Sequence, residues 1–126
     1  HYYGLLRNGL RDLERFLLLP DPTPQSDPSW FGFLITVKED APFSRDELVQ
    51  FLNGKRIQTR YLFAGNITRQ PVFTSQEIPH RIVGDLYVSD HVMRQTFWIG
   101  CYPGLSEEAI SYVIQGFYEF CGKYFS

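Results

Sequence analysis

Pro20, Pro22, Pro24 and Pro28 crowd the stretch PDPTPQSDP. Each proline lacks an N–H and holds φ near about −65°, so regular helix and interior strand are both excluded there. The chain is thereby divided into a leading segment, a stiff exposed connection over 20–28, and the longer remainder. In the leading segment Tyr2, Leu6, Leu10, Leu13 and Leu17 form one stripe, with Leu5 and Phe16 beside it and Arg7, Arg11, Asp12 and Arg15 turned away. This spacing predicts a helix over 1–18. His1-Tyr2-Tyr3 brings no Ser, Asp or Pro to start it, which leads us to expect a helix that begins upstream and a chain that is a fragment.

The remainder alternates strand and helix signals. Trp30 to Lys38 is aromatic and β-branched, bounded by Pro28 and by Glu39-Asp40, and reads as a central strand. Phe43-Ser44-Arg45-Asp46-Glu47-Leu48 is a helix start, with Ser44 as N-cap, Glu47 closing a capping box and Phe43 placed to staple on Leu48. Leu48, Phe51 and Leu52 form its apolar face, and Asn53-Gly54 is the expected stop. Thr59 to Ala64 alternates as a strand, then Gly65-Asn66 turns it into the polar loop Asn66 to Gln70, closed by Pro71. From Pro71 to Gly84 we expect extended or irregular chain. Ser89 caps a short helix through Gln95, Thr96 to Tyr102 is a further strand, and Pro103-Gly104 turns the chain. Ser106-Glu107-Glu108 then opens a last helix striped by Ile110, Val113, Ile114, Phe117 and Cys121, with Glu119 and Lys123 paired on its wet face. This order implies an α+β two-layer domain, one core over residues 29–126, with helices on one face of a small, mainly antiparallel sheet.

Composition removes several functions. With 126 residues, 44% of them hydrophobic, the chain buries one core, and a net charge of −2 gives no bulk attraction for nucleic acid or an anionic membrane. Phe31-Gly32-Phe33-Leu34 resembles the middle of an RNA-recognition signature, but Trp30 stands where its basic residue belongs, and buried strand aromatics account for it better. There is no apolar run of spanning length, and the charges in HYYGLLRNGLRDLERF lead us to expect no export segment there. Cys101 and Cys121 have no metal spacing and read as small buried hydrophobes; His1, His80 and His91 read as surface histidines. No P-loop, GxGxxG, HExxH or GxSxG is present, so no residue declares itself catalytic. Arg60, Arg69 and Arg94 could form an anion site near the Asn66 loop, with Trp30, Phe33 and Phe63 stacking on a base or a sugar face, which would suit a nucleotide sugar. They could equally be three unrelated surface charges.

SDPSWFGFLITVKE at Ser26 to Glu39, RDELVQFLNGKRIQTRYLFAGNITRQP at Arg45 to Pro71 and SDHVMRQTFWIGCYPGLSEEAISYVIQGFYEF at Ser89 to Phe120 follow one another in the chain. This order, with FAGN before TRQP and TFWIG before YPGL, resembles the C-terminal part of the PLP-dependent sugar aminotransferase family, and within it the branch of CDP-4-keto-6-deoxy-D-glucose 3-dehydrases. The resemblance implies the small C-terminal domain of a fold type I enzyme, residues 1–126, that closes over a large cofactor-binding domain absent from this chain. It implies a cytoplasmic parent, a homodimer, acting in 3,6-dideoxyhexose and lipopolysaccharide O-antigen biosynthesis. That parent is implied to use pyridoxamine or pyridoxal phosphate, a [2Fe-2S] cluster, a nucleotide-sugar substrate and an NADH-dependent iron-sulfur reductase. The catalytic groups and cluster cysteines are expected outside these residues, so this chain alone is expected to be inactive and to hold neither cofactor nor metal. Phe33, Phe63, Asn66 and Arg94 are implied to face the active-site cleft and orient substrate. A GDP-sugar dehydratase, a sugar aminotransferase and a non-catalytic interaction module stay open.

Overall fold

The structure is a computed structural model that describes residues 1–75 and 78–125. Four antiparallel strands, β1 (Leu17–Leu18), β2 (Gly32–Val37), β3 (Thr59–Tyr61) and β4 (Thr96–Gly100), form one sheet in the order β1-β2-β4-β3. Central strands are apolar because both faces are covered or half-covered, and β2 and β4 are the two central strands here. Phe33 lies opposite Ile99, Leu34 opposite Trp98 and Ile35 opposite Phe97, and Arg60 of β3 also opposes Trp98. Since side chains alternate across a strand, Phe33, Ile35, Val37, Phe97 and Ile99 share the buried face. Leu34, Trp98 and Arg60 share the other.

Helices α1 (Tyr2–Gly9), α2 (Arg45–Gly54) and α5 (Glu107–Cys121) close the core, with α1 and α2 both packed on α5. Leu6, Leu10, Leu48, Leu52, Ile110 and Phe117 are fully or almost fully buried with the inner sheet residues. Each such side chain contributes about 1.5–3 kcal/mol of transfer free energy. Phe43, just before α2, meets the rings of Phe16, Phe120 and Tyr124 at 5.0–5.6 Å. The capping box on α2 is complete: Ser44 Oγ accepts from the Glu47 N–H and the Ser44 N–H donates to Glu47 Oε2 at 2.7 Å. Ser106 Oγ likewise accepts from the Ala109 N–H at the start of α5. Both cysteines are buried and free, in agreement with their reading as small hydrophobes.

Several boundaries differ from expectation. The helix over 1–18 stops at Gly9; a 3-10 turn (Arg11–Arg15) follows, and Leu17–Leu18 pair with Val37 and Thr36 as β1. The open edge of β2 needs a hydrogen-bonding partner, and an apolar stripe ending at Leu17 satisfies either geometry. Gly9 lies so close to α5 that a Cβ there would sit 2.3 Å from Ile114 Cδ1. Arg7, expected to face away, is mostly covered and paired with Glu14 and Asp21. Helix α2 runs through Gly54, and the left-handed residue after it is Arg56, at φ 60°. β3 ends at Tyr61 because Phe63 turns to φ 44°. Pro71–Thr74 forms a short helix, α3, with Pro71 at its first position, where no N–H is required; Gln76 and Glu77 of the same stretch lie outside the described residues. Helix α4 (Tyr87–Gln95) begins two residues before Ser89, with Asp85 Oδ1 accepting from the Tyr87 N–H. Glu119 reaches Lys55 at 2.5 Å, and Lys123 lies over the rings of Phe51 and Phe120.

The proline connection is held to α1 at both ends. The Tyr3 hydroxyl donates to the Pro20 carbonyl, and the Tyr3 ring stacks on Trp30 at 4.0 Å with planes 1° apart. Among the described residues no helix is long and apolar enough to cross a membrane.

Candidate functional site

The loop after β3 is shaped by two left-handed residues, Phe63 and Gly65 at φ 61°. Gly65 backs onto α4: a Cβ there would stand 2.4 Å from Met93 Cγ and 3.0 Å from Met93 Cα. Only a residue without a Cβ lets the loop approach this closely. Asn66 then caps a 3-10 turn (Ile67–Arg69), its Oδ1 accepting from the N–H and the hydroxyl of Thr68 at 3.1 and 2.7 Å. Its Nδ2 donates to Asp90 Oδ1 at 2.8 Å.

Asp90, in the first turn of α4, is the hub. Arg69 donates to both its oxygens, at 3.2 and 2.7 Å, and Arg94 stands 3.8 Å from Oδ2, one helical turn along. The Arg69 guanidinium, then the Asn66 amide, then the charge of Arg94 hold the Asp90 carboxyl down to about 2. Asp90 is thus a permanent anion at neutral pH that fixes loop to helix and leaves the Arg94 side chain 68% exposed.

A cleft of about 350 Å³ opens beside this hub, lined by Glu39, Asp85, Tyr87, Asp90, His91, Arg94 and Gln95. Glu39 Oε1 accepts from the Tyr87 hydroxyl at 2.7 Å and lies 3.0 Å from His91 Nδ1. The Tyr87 hydroxyl, then His91, hold the Glu39 carboxyl below the usual range, and the same carboxylate raises the Tyr87 phenol. Every lining side chain carries a hydrogen-bonding group, so the cleft can meet a ligand rich in hydroxyls.

Of the residues singled out by sequence, Asn66 and Arg94 meet at Asp90. Asn66 is 3% exposed with its amide committed on both sides. Phe63 is 79% exposed on the open side of the sheet, its ring 5.7 Å from Trp98. Phe33 is fully buried on the opposite face, beside Tyr3. The three arginines do not converge: Arg69 and Arg94 share Asp90, whereas Arg60 lies across the sheet opposite Trp98. Trp30 is occupied by Tyr3. Asp90, Glu39, Tyr87 and His91 were not among the sequence candidates. The i,i+4 spacings of Asp90 with Arg94 and of Tyr87 with His91 were available signals; the partnership of Glu39 with His91 was not, since 52 residues separate them.

The conserved pattern of the DegT/DnrJ/EryC1/StrS aminotransferase family matches residues 1–118. The chain belongs to that family. Its family relatives include the lipopolysaccharide biosynthesis protein RfbH of Salmonella typhimurium, 50% identical over 123 residues, which are 98% of this chain and 28% of that protein. A dTDP-4-dehydro-2,6-dideoxy-D-glucose 3-dehydratase of Saccharopolyspora spinosa is 51% identical over 118 residues, 94% of this chain and 25% of that protein. The chain therefore spans only about a quarter of the length of these curated relatives. Among solved structures, the fold matches an Escherichia coli GDP-4-keto-6-deoxy-D-mannose-3-dehydratase with bound hydrated PLP, at TM-score 0.77 and 19% identity over 90% of this chain and 28% of that one. It also matches an aminotransferase from Psychrobacter cryohalolentis, at TM-score 0.80 and 16% identity over 97% of this chain and 33% of that one. These two likenesses establish the small α+β fold.

Proposed function

We propose that this chain is the substrate-covering C-terminal domain of a nucleotide-sugar 3-dehydratase that acts in 3,6-dideoxyhexose and lipopolysaccharide O-antigen biosynthesis. The observation that carries the reading is the half identity, across almost all of these residues, to RfbH and to a 3-dehydratase. In this reading the parent removes the C3 hydroxyl of CDP-4-keto-6-deoxyglucose: the C3–O bond breaks and the hydroxyl leaves with one proton as water, while two electrons from NADH, delivered through an iron-sulfur reductase, and a second proton form the new C3–H bond. The polar cleft supports such a role, because its carboxylates, guanidinium, imidazole and phenol match sugar hydroxyls. Arg94 meets the substrate from the cleft and Phe63 covers it. Asn66 holds the loop in place through Asp90, and Phe33 supports the sheet from beneath.

Among the described residues there is no ligand set for the two groups such an enzyme uses. A [2Fe-2S] cluster takes four protein ligands, whereas the two cysteines are both buried, and among the described residues no group of His, Cys, Asp and Glu could hold a metal ion. Lys38 bonds the Glu14 carbonyl, Lys55 pairs with Glu119, and Lys123 lies over two rings, so no lysine points into the polar cleft. In the proposal both groups, and the catalytic residues, belong to polypeptide corresponding to the remaining three quarters of the relatives, in a homodimeric enzyme.

The test is an assay of the full-length protein with CDP-4-keto-6-deoxyglucose, pyridoxamine phosphate, reductase and NADH, read by mass spectrometry of the sugar. Substrate-dependent NADH oxidation with loss of the C3 oxygen is expected, and Arg94→Ala should lower kcat/KM at least about tenfold. Amino transfer from glutamate to the sugar would replace the reading with a sugar aminotransferase. Turnover in neither assay would leave an interaction module.

A further inference from the structure

A second cleft, of about 590 Å³, opens at the Gly100 end of β4. Phe31, Trp98, Tyr102 and Tyr112 supply its rings, and Arg56 and Arg60 its cations; no Asp or Glu lines it. The rings are available rather than spent on packing: Phe31 is 78% exposed, Tyr102 57% and Tyr112 49%, with Phe31 lying 4.6 Å from the Trp98 ring at 42°. Trp98 keeps an indole N–H with no acceptor among the described residues. Neither Arg56 nor Arg60 has an ion-pair partner among the described residues, a state they share with Arg11, Arg15 and Arg81, whereas Arg7, Arg45, Arg69 and Arg94 pair with carboxylates; of the five, only Arg56 and Arg60 line this cleft.

Two free guanidiniums with no compensating carboxylate favour a ligand carrying two or more negative charges, and the planar fork selects phosphate oxygens. Exposed ring faces beside them favour a flat heterocycle, which stacks on aromatic side chains. The volume falls in the range of small-molecule sites. We infer that this cleft binds the nucleoside diphosphate part of a ligand, the base against the Phe31–Trp98–Tyr102 rings and the diphosphate between Arg56 and Arg60. The choice of a nucleotide rests on the sugar-nucleotide reading above; the position does not.

The experiment uses Trp30→Phe, which leaves Trp98 as the sole tryptophan of the chain. CDP, GDP and dTDP are titrated while its fluorescence is followed, beside inorganic pyrophosphate, cytidine and pyridoxamine phosphate. Saturable quenching by a nucleoside diphosphate is expected, weakened about tenfold or more in Arg56→Ala and in Arg60→Ala and unchanged in Arg11→Ala, an exposed arginine that does not line the cleft. Arg60→Lys, which keeps the charge, should recover part of the loss, and circular dichroism of each variant establishes that it is folded. No quenching, equally tight pyrophosphate, tighter pyridoxamine phosphate, or unchanged affinity in both arginine variants overturns the inference. Turnover of sugar nucleotide by the full-length protein without this binding would defeat the inference alone. Binding without turnover would defeat the functional reading alone.

Discussion

Replacing Gly65 with alanine tests whether the loop and helix α4 are held at their observed spacing by the absence of one methyl group. Gly65 adopts φ 61°, and a Cβ in that left-handed conformation costs about 1–2 kcal/mol. The methyl would also lie 2.4 Å from Met93 Cγ, 2.5 Å from Met93 Cβ and 3.0 Å from Met93 Cα, and overpacking of this kind costs about 1–3 kcal/mol. Together we expect a loss near 3 kcal/mol. With a urea slope of about 1–3 kcal/mol/M for a small domain, the midpoint should fall by roughly 1.5 M. Urea unfolding followed by circular dichroism reads this directly. Met93→Ala removes only the Cγ contact and leaves Cβ and Cα in place, so the Gly65→Ala, Met93→Ala double variant should regain less than about 1 kcal/mol of the coupled loss. A Gly65→Ala midpoint within about 0.2 M of the parent would refute the reasoning, as would full rescue by Met93→Ala. In the full-length protein the same substitution should displace the Asn66–Asp90 bond and lower activity without touching a substrate-binding group.

Two further outcomes follow from the titrating groups. Asp90 has its carboxyl lowered from 3.8 to about 2 in the folded protein, so its stabilising contribution is complete above about pH 4 and is lost as pH falls toward 2; Asp90→Asn should flatten the acid limb of a stability–pH curve, and an unchanged limb would remove Asp90 as the hub. Cys121 is fully buried, and burial pushes its thiol up to about 12, so iodoacetamide at pH 8 should label it only after denaturant is added, as checked by mass spectrometry.

Much of the fold was legible because local signals agreed with tertiary demands. Ser44 and Glu47 closed a capping box that depends on residues three apart, and the stripe Ile110, Phe117, Cys121 faced the core because helical periodicity and burial coincide. The leading segment was misjudged where the two diverged. A stripe ending at Leu17 suits a helix on its own, yet the free edge of β2 takes those residues as a strand. At the candidate site, Asn66 and Arg94 were legible as polar residues at a loop and a helix end, but the anion site imagined for three arginines was not formed. A carboxylate 21 residues from Arg69 accepts two of its hydrogen bonds, while Arg60 lies on β3 opposite Trp98 and lines a different cleft.

By itself the sequence determined the segmentation at the prolines, the capped helices, the aromatic strands and, through ordered motifs, the family. These depend on residues close in the chain or on a pattern read in order, and neither needs coordinates. Only the tertiary structure decided that Asp90 joins Asn66, Arg69 and Arg94, that Glu39 holds Tyr87 and His91, and that Arg56 and Arg60 share a cleft with four aromatic rings. Charges and hydrogen bonds act over a few ångströms of space whatever the distance along the chain. Residues 48 to 52 positions apart can become partners only after the sheet and its helices have brought them together.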